Sequence, residues 1–79
     1  MKTNIMQFNV LFRPEVEGGF TAIVPSLPGC ITYGKDLPQA KEMARDAISG
    51  YLVSLKKHRQ KISSDEGSFM TLLSVGKYA

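Results

Sequence analysis

The sequence contains no tryptophan, one cysteine and one histidine in 79 residues. The single cysteine, Cys30, excludes an internal disulfide framework and a cysteine-rich zinc site. No apolar run approaches the roughly 18 residues of a membrane span, and no charged-then-apolar leader opens the sequence. These absences predict a cytoplasmic protein without a membrane-spanning segment.

A chain of this length predicts one small domain, residues 1–79, with a thin hydrophobic core. Because such cores supply little stability, we expect a homodimer or a higher oligomer. The formal net charge is +3 and comes from one basic cluster near the end of the predicted helix: Lys56, Lys57, Arg59 and Lys61. The excess of positive charge is therefore local and not a general coat for nucleic acid.

The first half of the sequence predicts three short β-strands. Apolar and polar residues alternate over 5–12, and β-forming residues recur over 20–24 and 30–33. Proline or glycine ends each of these segments. Since brief loops join them, we expect an antiparallel meander.

The apolar period then lengthens to three and four residues, which predicts an amphipathic helix to about residue 60. Asp36 is the expected N-cap, and Gln39 is expected to complete a capping box. Gly50 is costly inside a helix, which suggests a close approach of the helix backbone to the sheet. After a polar linker, residues 69–75 are predicted as a fourth strand.

The order β-β-β-α-β predicts an α+β fold, a two-layer sandwich of one sheet and one helix. One helix cannot cover both faces of a sheet. A single core therefore does not need to bury all the apolar residues, and four of them are left over: Ile5, Leu11, Ile23 and Val53. We expect another chain to cover this surplus apolar surface.

The sequence offers little for catalysis. His58 has no nucleophile or carboxylate placed beside it, and Cys30 has no neighbouring cation that would activate its thiol. The sequence has no phosphate-binding glycine-rich loop and no metal-ligand spacing. We expect no enzymatic activity, no catalytic residues, no metal and no cofactor.

One long stretch resembles a known family. Residues 19–34 read GFTAIVPSLPGCITYG, and DLPQA at 36–40 opens the alanine-rich helix. These motifs, in this order, are similar to the N-terminal domain of HicB antitoxins, and the similarity covers nearly the whole chain. The resemblance implies a partial ribonuclease H-like fold with the fourth strand parallel to the first and beside it.

The resemblance also implies a partner. HicB proteins bind HicA, a small basic toxin with a double-stranded-RNA-binding-like fold that degrades mRNA using a histidine. Many HicB proteins carry a C-terminal DNA-binding domain that this sequence lacks, so direct operator binding is not expected. Nuclease activity by analogy with ribonuclease H is not expected either, because residues 5–12 contain no carboxylate to hold a metal ion.

The leading hypothesis is an antitoxin of a type II toxin–antitoxin system that binds and neutralises a HicA-type toxin. We expect its partner contacts at the first hairpin loop, at one turn and at two strand aromatic residues: Glu15, Glu17, Ser26, Phe20 and Tyr33. One alternative is a nucleic-acid-binding accessory protein that uses the basic cluster, although cations there also complement the helix dipole. The other alternative is a solitary HicB-like homo-oligomer without a toxin.

Overall fold

The structure is a computed structural model that describes residues 5–78. Three strands, β1 (Leu11–Pro14), β2 (Phe20–Ile23) and β3 (Ile31–Gly34), precede one helix, α1 (Leu37–Lys57). The strands form an antiparallel sheet in the order β1-β2-β3. The helix packs against β3 and β2. The α+β class and the antiparallel meander predicted from the sequence are confirmed.

β1 lies later in the chain than the alternation predicts. Its pairing begins at Leu11, which lies opposite Ile23. In this register Asn9 would lie opposite Pro25, whose missing N–H ends the ladder. The strand runs on through Pro14, because β1 is an edge strand and a proline there leaves no sheet hydrogen bond unmade on its outer side.

The core is small and is built largely from small side chains. Val24, Leu27 and Cys30 form its buried cluster, and Ala40 and Ala44 are the buried residues of the helix. Phe8 and Val10, which precede β1 without pairing in the sheet, pack against this cluster. The apolar residues predicted for the first strand therefore reach the core without being part of the sheet.

The helix backbone approaches the sheet closely at Gly34, not at Gly50. A Cβ atom on Gly34 would overlap the backbone of Ala40, whereas a Cβ atom on Gly50 would meet open space. The packing reason suggested for Gly50 is therefore wrong. The first turn of the helix rests directly on the end of β3, where only glycine leaves enough room.

The predicted N-cap of the helix is confirmed. The Asp36 carboxylate accepts a 2.9 Å hydrogen bond from the Gln39 N–H. The Gln39 side chain in turn accepts from the Lys35 N–H at 2.7 Å, one residue before the position that a capping box uses. The helix ends at Lys57, earlier than predicted, and His58 is its C-cap.

The fourth strand predicted over residues 69–75 does not form. The segment before it is fastened to the sheet side of the molecule, since the Asp65 N–H donates to the Gln7 carbonyl at 2.7 Å. A turn follows, with Gly67 at φ 83° and the Ser68 N–H donating to the Asp65 carbonyl. This turn leads residues 69–75 (the tail segment) away from the sheet, where they are exposed and unpaired. The parallel fourth strand implied by the resemblance is therefore not formed within the described chain.

Candidate partner-binding surface

The sheet has one covered face and one open face. Phe12, Ala22 and Thr32 lie opposite one another on the three strands and face the helix. The neighbouring positions point the other way because side chains alternate along a strand. They make up the open face, in two cross-strand rows: Leu11, Ile23 and Ile31, then Arg13, Thr21 and Tyr33.

The open face carries accessible apolar and aromatic side chains beside the polar Arg13 and Thr21. Ile31 is 59% exposed and Tyr33 is 51% exposed, and Leu11 beside them is also exposed. Contiguous apolar surface of this kind is typical of an interaction site rather than of a solvated sheet face. Two of the residues expected to carry surplus apolar surface lie here, the exposed Leu11 and the half-buried Ile23, whereas the sequence alone does not point to Ile31.

The β1–β2 hairpin closes one end of the open face and carries the acidic residues. Glu15, Glu17, Thr21 and Tyr33 surround a groove of about 550 Å³. The Thr21 hydroxyl donates to the Glu15 carboxylate, which holds that carboxylate beside the sheet. An exposed aromatic ring and two carboxylates thus share one concave surface.

Tyr33 fixes the hairpin relative to the sheet. Its hydroxyl donates a 2.9 Å hydrogen bond to the Gly18 carbonyl. Its ring lies so close to Gly19, which has φ 80°, that a Cβ atom there would overlap it. The tight turn at Gly18 and Gly19, both at positive φ, is what lets the ring lie against the hairpin backbone.

The structure separates the other two predicted contact residues from this group. Phe20 lies on the helix-facing side of β2, in register with Gly34, and is half-buried. Ser26 lies in the β2–β3 turn at the opposite end of the sheet, where its hydroxyl donates to Asp65 at 2.7 Å. Of the five predicted contacts, the structure brings together Glu15, Glu17 and Tyr33.

Two carboxylates at that opposite end bind the chain before β1. Asp65 accepts from the Ser26 hydroxyl and from the Asn9 N–H, and these bonds lower the pKa of its carboxyl group. Glu66 accepts from the Ser64 hydroxyl and from the Gln7 N–H, and its pKa is lowered for the same reason. Each hydrogen bond favours the ionised form of the acceptor. These acids are structural and lie far from the acidic hairpin.

Comparison with known protein families identifies the class of protein to which this chain belongs. The family model described as the HicB-like antitoxin of bacterial toxin–antitoxin systems matches residues 8–75. The chain belongs to this HicB-like antitoxin family. The match includes all three strands, the helix and the tail segment, so the hairpin and the open face belong to the region that defines the family.

Relatives of this HicB-like chain occur in archaea and cyanobacteria. A UPF0150 protein of Thermoplasma acidophilum is 37% identical over 67 residues, covering 85% of this chain and 97% of the relative. A UPF0150 protein of Archaeoglobus fulgidus is 38% identical over 47 residues, 60% of this chain and 68% of the relative. A UPF0150 protein of Synechocystis is 33% identical over 61 residues, 77% of this chain and 84% of the relative.

The basic cluster of the HicB-like chain lies apart from its acidic hairpin. Lys56, Lys57, Arg59 and Lys61 are all exposed around the C-terminal end of the helix. This end lies by the β2–β3 turn, because the Tyr51 hydroxyl donates to the Pro28 carbonyl at 2.8 Å. The basic cluster therefore lies at the end of the sheet opposite the acidic hairpin, the end that also carries Asp65 and Glu66.

The two other candidate reactive residues of the HicB-like chain, Cys30 and His58, make structural contacts. Cys30 is buried in the core, and burial raises the pKa of its thiol, which disfavours the reactive thiolate. His58 Nδ1 lies 2.8 Å from the Ser54 carbonyl at the helix end. Over residues 5–78, no three His, Cys, Asp or Glu side chains gather as a metal site, and no helix is long and apolar enough to cross a membrane.

Proposed function

We propose that this chain is the antitoxin of a type II toxin–antitoxin pair and neutralises a small, basic, mRNA-degrading toxin of the HicA type by covering it. The observation that carries the proposal is the open sheet face, where an apolar row, Leu11, Ile23 and Ile31, lies beside Tyr33 and the acidic hairpin. An apolar centre with a charged rim is the usual composition of a specific protein interface. Membership of the antitoxin family supports a toxin as the partner.

The charges of the hairpin suit a basic partner. Glu15 and Glu17 project beside Tyr33, so a cationic toxin is attracted to the end of the open face before the apolar contacts form. Electrostatic attraction of this kind raises the association rate more than it raises the final affinity. The chain itself supplies no catalytic group in this proposal and acts by binding, in the cytoplasm where mRNA is degraded.

The proposal treats residues 1–79 as one HicB-like domain that acts through protein contacts. Ile31 and Tyr33 are its expected anchors, since both side chains are more than half exposed and lie on the same face of β3. Glu15 and Glu17 form the acidic rim. Phe20 contributes indirectly, by supporting the sheet from its helix-facing side.

The experiment is affinity purification of the tagged chain from its native cells at moderate salt, with mass spectrometry of the proteins that co-elute. We expect a small basic protein in near-stoichiometric amount, and its ribonuclease activity must fall when the chain is added. Ile31→Asp should abolish that inhibition, while Val53→Asp, on an exposed helix position away from the open face, should retain it. Inhibition that survives Ile31→Asp would remove the open face from the interface.

A second candidate function, nucleic-acid binding, is favoured by one observation. The basic cluster is exposed at the helix end, without a covering element among the described residues. Phosphate binding there predicts retardation of RNA or DNA that weakens steeply as salt rises. Lys56→Glu with Lys57→Glu should abolish the retardation and leave toxin inhibition intact. A chain that purifies without toxin or nucleic acid would instead be a solitary homo-oligomer.

A further inference from the structure

A groove lies between the helix and the chain that leads into β1. The helix packs against β3 and β2, and about 700 Å³ is left open between residues 6–12 and the helix. Apolar side chains from both sides make up most of its lining: Phe8, Val10, Phe12, Ala44, Ile48 and Leu52. A volume of this size, lined mainly by apolar groups, is typical of sites that bind small molecules.

Two cations line the groove on its helix side. Lys41 and Arg45 lie one turn apart on α1, about 6 Å along its axis, and both are exposed. Like charges at this spacing repel each other. The acidic residues nearest to them in the helix, Glu42 and Asp46, do not line the groove, and neither does any other acidic residue of the described chain. The groove therefore has an excess of positive charge that an anionic ligand would balance.

The two cations lie toward one end of the groove. The helix begins over the end of β3, where Gly34 lies against the Ala40 backbone. It then runs toward the β2–β3 turn, where the Tyr51 hydroxyl donates to the Pro28 carbonyl. The two cations thus lie toward the hairpin end of the groove, and Leu52 lies toward the opposite end. The groove is cationic at one end and carries no charge along the rest of its lining.

We propose that the groove binds a long-chain carboxylate, with its head group at Lys41 and Arg45 and its apolar chain along Ile48 and Leu52. Two cations one turn apart can donate charge-assisted hydrogen bonds to the same carboxylate. The helix rises about 10 Å from Arg45 to Leu52, so an apolar chain can follow the groove for that length. Such a ligand removes apolar surface from water and offsets the repulsion between the two cations.

The distribution of charge favours this ligand over a peptide or a nucleic acid. An acidic peptide or a nucleic acid carries charge along its whole length, whereas the other polar residues of the lining, Asn9 and Ser49, are uncharged. A wholly apolar ligand would leave the two cations without a partner. The inference goes beyond the antitoxin proposal and does not rest on it, because the groove lies on the helix side of the sheet and the toxin is proposed to cover the other side.

The test titrates the isotope-labelled full chain with sodium dodecanoate and sodium decanoate, each below its micelle-forming concentration. We expect saturable chemical-shift changes at the methyl groups of Ile48 and Leu52. Because each buried methylene group removes more apolar surface from water, dodecanoate should bind about tenfold more tightly than decanoate, which is two methylene groups shorter. Dodecyltrimethylammonium has the same apolar chain with a cationic head group and should bind at least about tenfold more weakly than dodecanoate.

Removal of charge then tests the position of the head group. Lys41→Gln with Arg45→Gln should raise the dissociation constant for dodecanoate at least about tenfold. Lys56→Gln with Lys57→Gln is the matched control, since it removes the same charge from the same helix at residues outside the groove lining, and should leave the constant unchanged. Circular dichroism should show an unchanged helix in both double variants, because all four side chains are exposed.

Several results would overturn the proposal. Shifts that do not saturate, or equal affinity for dodecanoate and dodecyltrimethylammonium, would show nonspecific adsorption of the apolar chain. An equal loss of affinity in the two double variants would mean that only the net charge of the chain matters. Binding to phosphatidylglycerol vesicles without binding to free dodecanoate would assign a membrane surface as the ligand instead.

Discussion

The Tyr33 hydroxyl lies 2.9 Å from the Gly18 carbonyl oxygen and joins the third strand to the tip of the first hairpin. These residues are fifteen apart in sequence, and their contact sets the position of the acidic loop relative to the open face. The loop itself has two glycines at positive φ, Gly18 and Gly19, and backbone hydrogen bonds of Glu15 with both glycines close it. This hydrogen bond at the rim of the open face therefore helps to set the position of the acidic loop that a partner would contact.

Replacing Tyr33 by phenylalanine should weaken partner binding about 2- to 10-fold, because the lost hydrogen bond contributes roughly 0.5–1.5 kcal/mol to holding the loop in place. Tyr33→Ala should weaken it further, since the ring is also lost from the open face. Isothermal titration with the purified toxin measures both. Tyr78→Phe, at an exposed position with no hydrogen bond in the described chain, is the control. Equal affinity in all variants would contradict the assignment of Tyr33.

Reversing the hairpin charges should slow association with the toxin. In Glu15→Lys with Glu17→Lys, the attraction of a basic partner becomes a repulsion, so the association rate should fall at least about tenfold at low salt and lose its decline with rising salt. Stopped-flow mixing over a salt series gives the rate. Glu42→Lys with Asp46→Lys makes the same change of charge on the exposed helix surface and should alter the rate much less. Similar rates in both double variants would show that net charge alone matters.

Two glycine substitutions should change stability in opposite directions. Gly34→Ala forces a methyl group into the Ala40 backbone, which should lower the free energy of unfolding by about 1–3 kcal/mol. Gly50→Ala meets open space inside the helix and should raise it by up to about 1 kcal/mol. Urea denaturation followed by circular dichroism measures both. Destabilisation by Gly50→Ala would reveal a contact of the helix that the single chain does not make.

The attachment of residues 65–66 should weaken in acid. Because the folded chain lowers the pKa of Asp65 and Glu66, their contribution to stability is complete above the ordinary values of 3.8 and 4.5. It is lost as the pH falls through the lowered values of the folded chain. The amide proton shifts of Gln7 and Asn9, which donate to these carboxylates, should follow the loss. Asp65→Asn should remove the acid transition at Asn9, and Asp46→Asn should leave it unchanged.

Sequence rules correctly predicted the elements that depend only on residues close to one another in the chain. The cap at Asp36, the helix and the turn at Pro28 and Gly29 follow from residue types that have few alternatives. The start of β1 does not, because it depends on where β2 ends: Pro25 removes the partner that Asn9 would need. Alternation over residues 5–12 correctly predicted a segment with one buried side. It could not show whether that segment pairs in the sheet or only packs against the core.

The candidate surface was only partly predictable for a related reason. Alternate residues of one strand lie on the same face of a sheet. Once the strand is located, the sequence therefore predicts that Ile31 and Tyr33 share a face. The pairing of Tyr33 with Thr21, and hence with the acidic hairpin, requires the register of two hairpins. Phe20 was assigned with Tyr33 because both are strand aromatics, but the register places them on opposite faces of the sheet.

The hairpin and the link at Asp65 lie at opposite ends of the sheet, and this arrangement decides the valence of any assembly. A toxin that covers the open face and the hairpin would leave the Asp65 link uncovered. Each chain would therefore offer one toxin site, and an assembly would bind as many toxin molecules as it has accessible open faces. Saturation at one toxin per chain is the stoichiometry that follows.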